Sequence, residues 1–311
     1  TPLYSSAASD VYKRQNLHYN TYLQLKYYLK MSKSFQQVSQ AENTLMVVDA
    51  LNLAFRYKHS GATDFAKDYI RTIDSLKKSY KASHVIIACD QGSSSYRKAI
   101  YPEYKQNRKD KQEQQTDAER AAFEIFFEDF LATIKAIEET TSYPVLRFQG
   151  VEADDIAAYI VAQKSKLSTD DIWLISSDRD WDLLVQPGVS RFSYVTRKEV
   201  TIDNWNDHYD FNPEDYISIK CLMGDSGDNV LGVDKVGPKR ALELVKQYGT
   251  AYDIAASIPL PGKYVYIQNL NKCKDLLLLN YQLMDLVTYS EEAIGTNNVE
   301  TINETLEIYL K

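Results

Sequence analysis

Apolar residues fall along the chain in short continuous runs separated by longer stretches of helical spacing. Leu45–Val48 is a four-residue apolar run, Val85–Cys89 another and Ile172–Ile175 a third, and Val145–Phe148 reads as a further short strand. Runs of this length are the mark of strands buried on both faces. Between them, Phe65–Tyr80 and Asp154–Lys164 carry apolar positions at the three- and four-residue spacing of helices, and Ala121–Glu138 extends the same pattern over a longer span. This alternation predicts an α/β fold: a mostly parallel central sheet with helices on both faces. Arg191–Thr196 and Lys198–Ile202 alternate with the period of strands and predict an edge hairpin. Asn212-Pro213 reads as a helix start, Asn as N-cap and Pro at the first helical position, with the helix running to about Met223. A last helix is expected over Ile302–Leu310.

The residues just beyond the strands carry the candidate chemistry. The first run ends in Asp49, the second in Asp90, and the third leads into Asp178 and Asp180. After the fourth comes Gly150–Asp155, G-V-E-A-D-D, which places Glu152, Asp154 and Asp155 at a helix start. One acid after a strand is normally a cap or turn residue. In a parallel sheet, however, all strand C-termini share one edge, the edge where ligands bind. Asp49, Asp90, Asp178 and Asp180 are therefore expected together, beside the Glu152 group. The helix ending near Met223 empties into Gly224–Asn229, a glycine-rich turn that delivers Asp225 and Asp228. Asp178–Asp182 mimics half of an EF-hand loop, but Leu183 stands where glycine is needed and Val189 where the bidentate Glu belongs.

An acidic chain normally argues against nucleic acid, an argument that weakens if many of the acids are gathered in one place and neutralised by metal. The 311 residues are 44% hydrophobic and 25% charged, with a net charge of −7. Residues 1–30 read as a non-native or disordered extension, and without them 32 basic residues face 42 acidic ones, a net −10. Nine acids (Asp49, Asp90, Glu152, Asp154, Asp155, Asp178, Asp180, Asp225 and Asp228) account for nearly all of that excess. Like charges brought together raise one another's pKa, and hard divalent cations are the usual compensation. No His stands among them, which argues against zinc. Two Mg²⁺ ions suit phosphodiester hydrolysis. The three cysteines form no C-x-x-C pair, which fits a reducing cytoplasm, and no apolar run approaches a membrane span.

Two further stretches point to nucleic acid. Tyr96–Thr141 is too long for a plain βαβ link. Its first half interleaves Arg97, Lys98, Lys105, Arg108, Lys109 and Lys111 with Tyr101 and Tyr104, cations for phosphates and aromatics for bases. Pro102 and the polar run Asp110–Thr116 predict a mobile loop within it. The second stretch, Gly232–Ala241, feeds a glycine-rich turn into a helix with Pro at N1 and a basic first turn, an arrangement that suits a docked anion.

Taken together, V-V-D-A-L-N-L (47–53), the Asp90 strand end, Y-K-Q-N-R (104–108), G-V-E-A-D-D (150–155), S-S-D-R-D-W-D (176–182), M-G-D-S-G-D-N (223–229) and G-V-D-K-V-G-P-K-R (232–240) resemble, in order and spacing, the 5′-nuclease or flap endonuclease family. That family includes the 5′-nuclease domain of bacterial DNA polymerase I, and its phage members are the nearest likeness. The resemblance spans about Leu45–Leu286.

It implies a PIN-like nuclease core over 31–205, with a helical arch at about 96–141. It implies a helix–three-turn–helix DNA-binding region over 206–290 and a C-terminal helix, 291–311, packed on the core. It further implies that Asp49, Asp90, Glu152, Asp154 and Asp155 hold the catalytic metal cluster, and that Asp178, Asp180, Asp225 and Asp228 complete it or hold the second ion. Mg²⁺ is the implied metal, Mn²⁺ a substitute, with K⁺ at the helix–three-turn–helix turn. Lys105 would stabilise charge on the scissile phosphate, Arg108 would assist, and Tyr104 would stack on a base. Lys239 and Arg240 would grip duplex phosphates, with Arg56 and Lys263 as further basic contacts. The implied partner is DNA with a 5′ single-stranded flap or a duplex end, bound by a monomer without membrane in the cytoplasm of a bacterial host. Ala50 departs from the glycine many relatives carry, but smallness is kept. A PIN-type ribonuclease would share the acid-ended sheet but lack the arch and duplex grip. A non-catalytic binder of branched DNA would need a broken acid cluster, and no acid position is missing.

Overall fold

The computed structural model describes residues 43–311; the extension expected over 1–30 lies outside the described residues. The chain opens with β1 (Thr44–Asp49), whose six residues are all buried. Helices α1 (Ala50–Ser60) and α2 (Ala66–Ser79) lead to β2 (His84–Cys89). The long connection after β2 holds α3 (Ser95–Ile100), α4 (Gln106–Glu113) and α5 (Asp117–Thr140) before β3 (Val145–Arg147). Then come α6 (Ala153–Ala162), β4 (Asp171–Ile175), β5 (Val189–Ser193) and β6 (Lys198–Val200).

The six strands form one sheet in the order β3-β2-β1-β4-β5-β6. β1 pairs in parallel with β2 on one side and β4 on the other, Val48 lying opposite both Ile87 and Ile175. Only the β5–β6 pair is antiparallel, the edge hairpin expected from its alternation. Because side chains alternate along a strand, β1 feeds two cores. Leu45 and Val47 join Ile86, Leu174 and the α6 residues Ile156 and Ile160. Met46 and Val48 join Ile87, the α2 residues Tyr69 and Ile73, and Phe126, Phe130 and Ile134 of α5. The α5 aromatics thus pack a core, and Thr116 starts the helix with a reciprocal capping box to Glu119.

The run Asp110–Thr116 corrects an expectation. Instead of a mobile loop, Asp110–Glu113 belong to α4, and only a short turn separates them from the capped start of α5. Asn212 does stand at the N-cap with Pro213 in the first turn, as expected, but it caps by position alone. Its side chain makes no cap bond to the backbone, donating to Asp215 instead, and a 3₁₀ turn (Pro213–Asp215) precedes α7 (Tyr216–Met223).

The C-terminal part is helical: α8 (Pro238–Tyr248), α9 (Ala251–Ser257), α10 (Val265–Leu270) and α11 (Lys274–Met284) surround their own core of Leu222, Val236, Leu244, Ile254 and Leu277. α12 (Leu286–Ile294) and α13 (Thr296–Tyr309) then return to the sheet, where Leu286, Ile294, Ile302 and Leu306 pack with Ile156 and Ile160. The return begins at Leu286, ahead of the boundary expected at 291, because α12 carries an apolar face of its own. Among the described residues no helix is long and apolar enough to cross a membrane.

Candidate active site

Each strand end presents its acid at the same edge, and short hydrogen bonds tie the ends together. Asp49, at the end of β1, accepts from the Asn52 backbone N–H at 3.1 Å and from the Ser176 hydroxyl beyond β4 at 2.7 Å. Ser176 Oγ in turn accepts the Asp178 N–H at 3.1 Å. Asp90, beyond β2, accepts from the Ala153 N–H at 3.0 Å, so the start of α6 hangs on it. Asp154 is fixed by the Trp181 indole N–H at 2.6 Å. The backbone thereby sets Asp49, Asp90, Asp154 and Asp178 as neighbours.

Their electrostatics record that closeness. Burial and then the charge of Asp90 hold the Asp49 carboxyl well above the usual carboxylate range. Burial raises Asp90 too, with Glu152 adding to it against the Ala153 N–H. Asp154 is pushed well up by burial and by Asp178, Asp90 and Asp49. A site that raises its own carboxyls in this way is one that a divalent cation would relieve.

Two further acid pairs are spanned by lysines. Glu152 lies between Lys105 Nζ (2.8 Å), the Tyr104 hydroxyl (3.0 Å) and the Ser94 N–H (3.2 Å). Lys105 Nζ also lies 3.7 Å from Asp228, which takes 2.9 and 2.6 Å bonds from Tyr104 and Arg108. Burial works against ionisation of Glu152, but Lys105 and Arg97 outweigh it and lower its pKa. The second bridge is Lys220, 8% exposed on α7, whose ammonium bonds Asp180 and lies 3.1 Å from Asp225. Burial raises Asp180 to about 6 despite Lys220, with Asp178 adding to the rise; burial opposes ionisation of Asp225 as well, but the same lysine and two backbone N–H groups outweigh it and bring Asp225 down.

The turn carrying Asp225 and Asp228 is held by paired Asp225–Val230 backbone bonds of 2.9 and 2.7 Å. It passes so close to the end of α7 that a Cβ at Gly232 would sit 1.9 Å from the Met223 carbonyl oxygen. Gly150 has the same task before E-A-D-D: its φ is +73°, and a Cβ there would meet Ser95 Oγ at 2.0 Å.

All nine acids are therefore linked by bonds, bridging cations or mutual charge, from Asp49 through Asp178 and Asp180 to Asp225. Asp155 departs from the metal-facing placement expected of it. It is 0% exposed, and both its oxygens accept from Arg97 at 2.7 Å. Tyr104 is the other correction: at 2% exposure, bonded to Glu152 and Asp228, its ring has no free face to stack on a base. Arg97 likewise leaves the nucleic-acid surface, since it is buried.

Arg56 is not brought to the acids; it bonds Asp68 and Thr72 and lies over the Tyr57 and Tyr194 rings. Lys239, Arg240 and Lys263 are exposed on the C-terminal part. Arg240 bonds the Lys235 carbonyl at 2.6 Å and covers Tyr266.

The sequence reading missed Lys220, whose only signal is a charge on an otherwise buried helix face beside Ile219 and Leu222. It also missed Ser176, and the Arg191–Asp182 pair that backs it.

The donor set suits hard divalent ions: oxygen only, buried, and mutually repelling. Among the described residues, no three acidic, histidine or cysteine side chains are drawn tightly enough to enclose an ion as they stand. Lys105 and Lys220 lie between the outlying acids, where positive charge is needed.

Fold and site together define a metal-assisted nuclease. Residues 44–210 match the 5′-3′ exonuclease N-terminal resolvase-like domain, and residues 211–304 the 5′-3′ exonuclease C-terminal SAM fold. The chain belongs to the 5′-3′ exonuclease family. It is 42% identical over 283 residues to the flap endonuclease of Escherichia phage T5, an alignment covering 88% of this chain and 96% of that one. A Rhizobium leguminosarum DNA polymerase I is 30% identical over 167 residues, 54% of this chain but 15% of the polymerase. Among solved structures, the phage enzyme crystallised with metal ions superposes with a TM-score of 0.81 at 41% identity, over 86% of this chain and all of that one. A complex of the phage enzyme with DNA and metal ions gives the same TM-score at 40% identity, over 86% of this chain and 99% of that one.

Proposed function

We propose that this enzyme is a Mg²⁺-dependent flap endonuclease and 5′-3′ exonuclease acting on DNA near single-strand/duplex junctions, leaving 5′-phosphate and 3′-hydroxyl ends. The observation that carries the reading is the edge group Asp49, Asp90, Asp154 and Asp178, in which burial and mutual charge raise Asp49, Asp90 and Asp154, with Lys105 beside it. The 42% identity to a phage flap endonuclease supports the same substrate class. Asp49, Asp90, Glu152, Asp154 and Asp178 are the residues that would hold one Mg²⁺ or Mn²⁺, and Asp180, Asp225 and Asp228 those that would join a second. When bound, such a pair supplies an activated water and stabilises the leaving oxygen.

The chain's own residues do the rest. Lys105 offers its ammonium to a scissile phosphate once it exchanges Glu152 for the substrate, and Arg108, on the exposed side of Asp228, adds a second cation. Exposed Lys239, Arg240 and Lys263 track duplex phosphates, which carry no sequence information and so suit recognition by junction shape. Arg56 stays a candidate contact on α1, and K⁺ at the helix–three-turn–helix turn within Gly224–Arg240, action as a monomer and a bacterial cytoplasm complete the reading. The test is cleavage of a 5′-flap DNA against single-stranded RNA in Mg²⁺, with Asp178→Asn and Asp225→Asn alongside. Flap-selective cleavage lost in both variants is expected. Preferential cleavage of RNA, or full activity in either variant, overturns the proposal.

A further inference from the structure

Arg97 is the most thoroughly bonded buried cation among the described residues, and the acid chemistry makes no direct use of it. It lies on α3, the foot of the insertion, 2% exposed. Nε donates to the Leu283 carbonyl at the end of α11 at 2.7 Å. Nη1 and Nη2 take the two oxygens of Asp155 at 2.7 Å each, and Nη1 also faces Glu152 Oε2 at 3.4 Å. The residue three places earlier, Ser94, caps the same helix through its hydroxyl and gives its N–H to Glu152 Oε1. One turn of chain therefore grips both oxygens of Glu152. Only a planar guanidinium spans a carboxylate in this forked way while leaving an N–H for a third partner; an ammonium cannot.

We infer that Arg97 is a positioning residue for Glu152, and that Asp155 serves Arg97 instead of a metal. One buried guanidinium then couples the foot of the insertion, the acidic start of α6 and the C-terminal helices. Asp155 fixes the plane of Arg97, and Arg97 with Ser94 aims Glu152 toward Lys105 and Asp228. The inference deepens the proposed function and rests on its metal-binding acids.

The test compares the parent protein with Arg97→Lys, Asp155→Asn and the double variant. Three quantities are read: melting temperature, Ca²⁺ affinity and stoichiometry by calorimetry, and the Mg²⁺ concentration giving half-maximal flap cleavage. Partners behind a metal ligand typically contribute 10–100-fold in metal affinity. Both single variants are expected to weaken Ca²⁺ and Mg²⁺ binding by about that factor with unchanged stoichiometry, and the double variant to be little worse than Arg97→Lys. Parental metal affinity in a folded Arg97→Lys, the loss of a bound ion in Asp155→Asn, or additive losses in the double variant each overturn the inference. If Arg97→Lys does not melt cooperatively, Asp155→Asn decides by the same two readouts. A parent that neither binds Ca²⁺ nor cleaves flaps in Mg²⁺ overturns the proposed function itself, before any variant is compared.

Discussion

Replacing Lys220 by methionine isolates the charge that the second acid pair depends on. Met keeps the length and apolar stem of the side chain, so the packing of α7 is largely retained and the ammonium is lost. In its place Asp180 and Asp225 would face each other with side chains about a quarter exposed, 27% and 26%. Removing one partner of a buried ion pair costs about 3–5 kcal/mol, and partial exposure of these acids puts the expectation at the lower figure. For a chain of 311 residues, ~3 kcal/mol corresponds to roughly 5 °C in melting temperature. A divalent ion can take over the lost charge. The deficit measured in a chelator should therefore shrink by half or more in millimolar Mg²⁺, while the parent gains less from the same addition. Thermal melts of both proteins, with chelator and with Mg²⁺, provide the measurement. A deficit that is equal in the two conditions, or no deficit at all, would show that Lys220 does not stand in for metal charge.

Lys105→Ala should slow flap cleavage in Mg²⁺ by about 10²–10³-fold, the range for losing one charge-stabilising donor, with flap binding in Ca²⁺ retained by gel shift; lost binding with normal turnover of what binds would contradict the role. Gly232→Ala should destabilise the fold by several kcal/mol or prevent it, because the added Cβ has nowhere to go but the Met223 carbonyl; a melting temperature within about 1 °C of the parent would show that the turn gives way. For pH, the raised acids make the native metal-free protein bind more protons than the unfolded chain, so stability falls as pH rises through their titration. For Asp180 that window runs from 3.8 to about 6, and Asp180→Asn should flatten the metal-free stability profile there; an unchanged profile counts against the burial of its charge.

Much of the site was legible because its acids come directly after strands, and a parallel sheet sends every strand end to one edge. Asp49, Asp90 and Asp178 needed no more than the apolar runs that precede them. Asp225 and Asp228 were legible from the glycines, since the turn can close only where Gly224 and Gly232 touch. What stayed hidden depends on direction, which spacing does not encode. Asp154 and Asp155 are adjacent in sequence, but the helix turns one to Trp181 and the other to Arg97. Tyr104 and Arg97 sit in a stretch whose composition suits nucleic acid, and both are drawn inward by Glu152. Lys220 is a single charge in an apolar helical run, and only the placement of α7 brings it to Asp180. Asp110–Thr116, polar throughout, reads as a loop by composition but is half helix, because the capping box at Thr116 fixes where α5 begins and leaves α4 room to form.

That these acids gather to hold divalent ions underlies every role assigned above. Crystals grown or soaked in Mn²⁺ and measured at its absorption edge put this to the test without an intermediary, since anomalous signal reports the ion and nothing else nearby. A peak is expected among Asp49, Asp90, Asp154 and Asp178, a second beside Asp180 and Asp225, and none at Asp155. Peaks elsewhere on the molecule, with that sheet edge empty, would mean that the acids gather for some other reason.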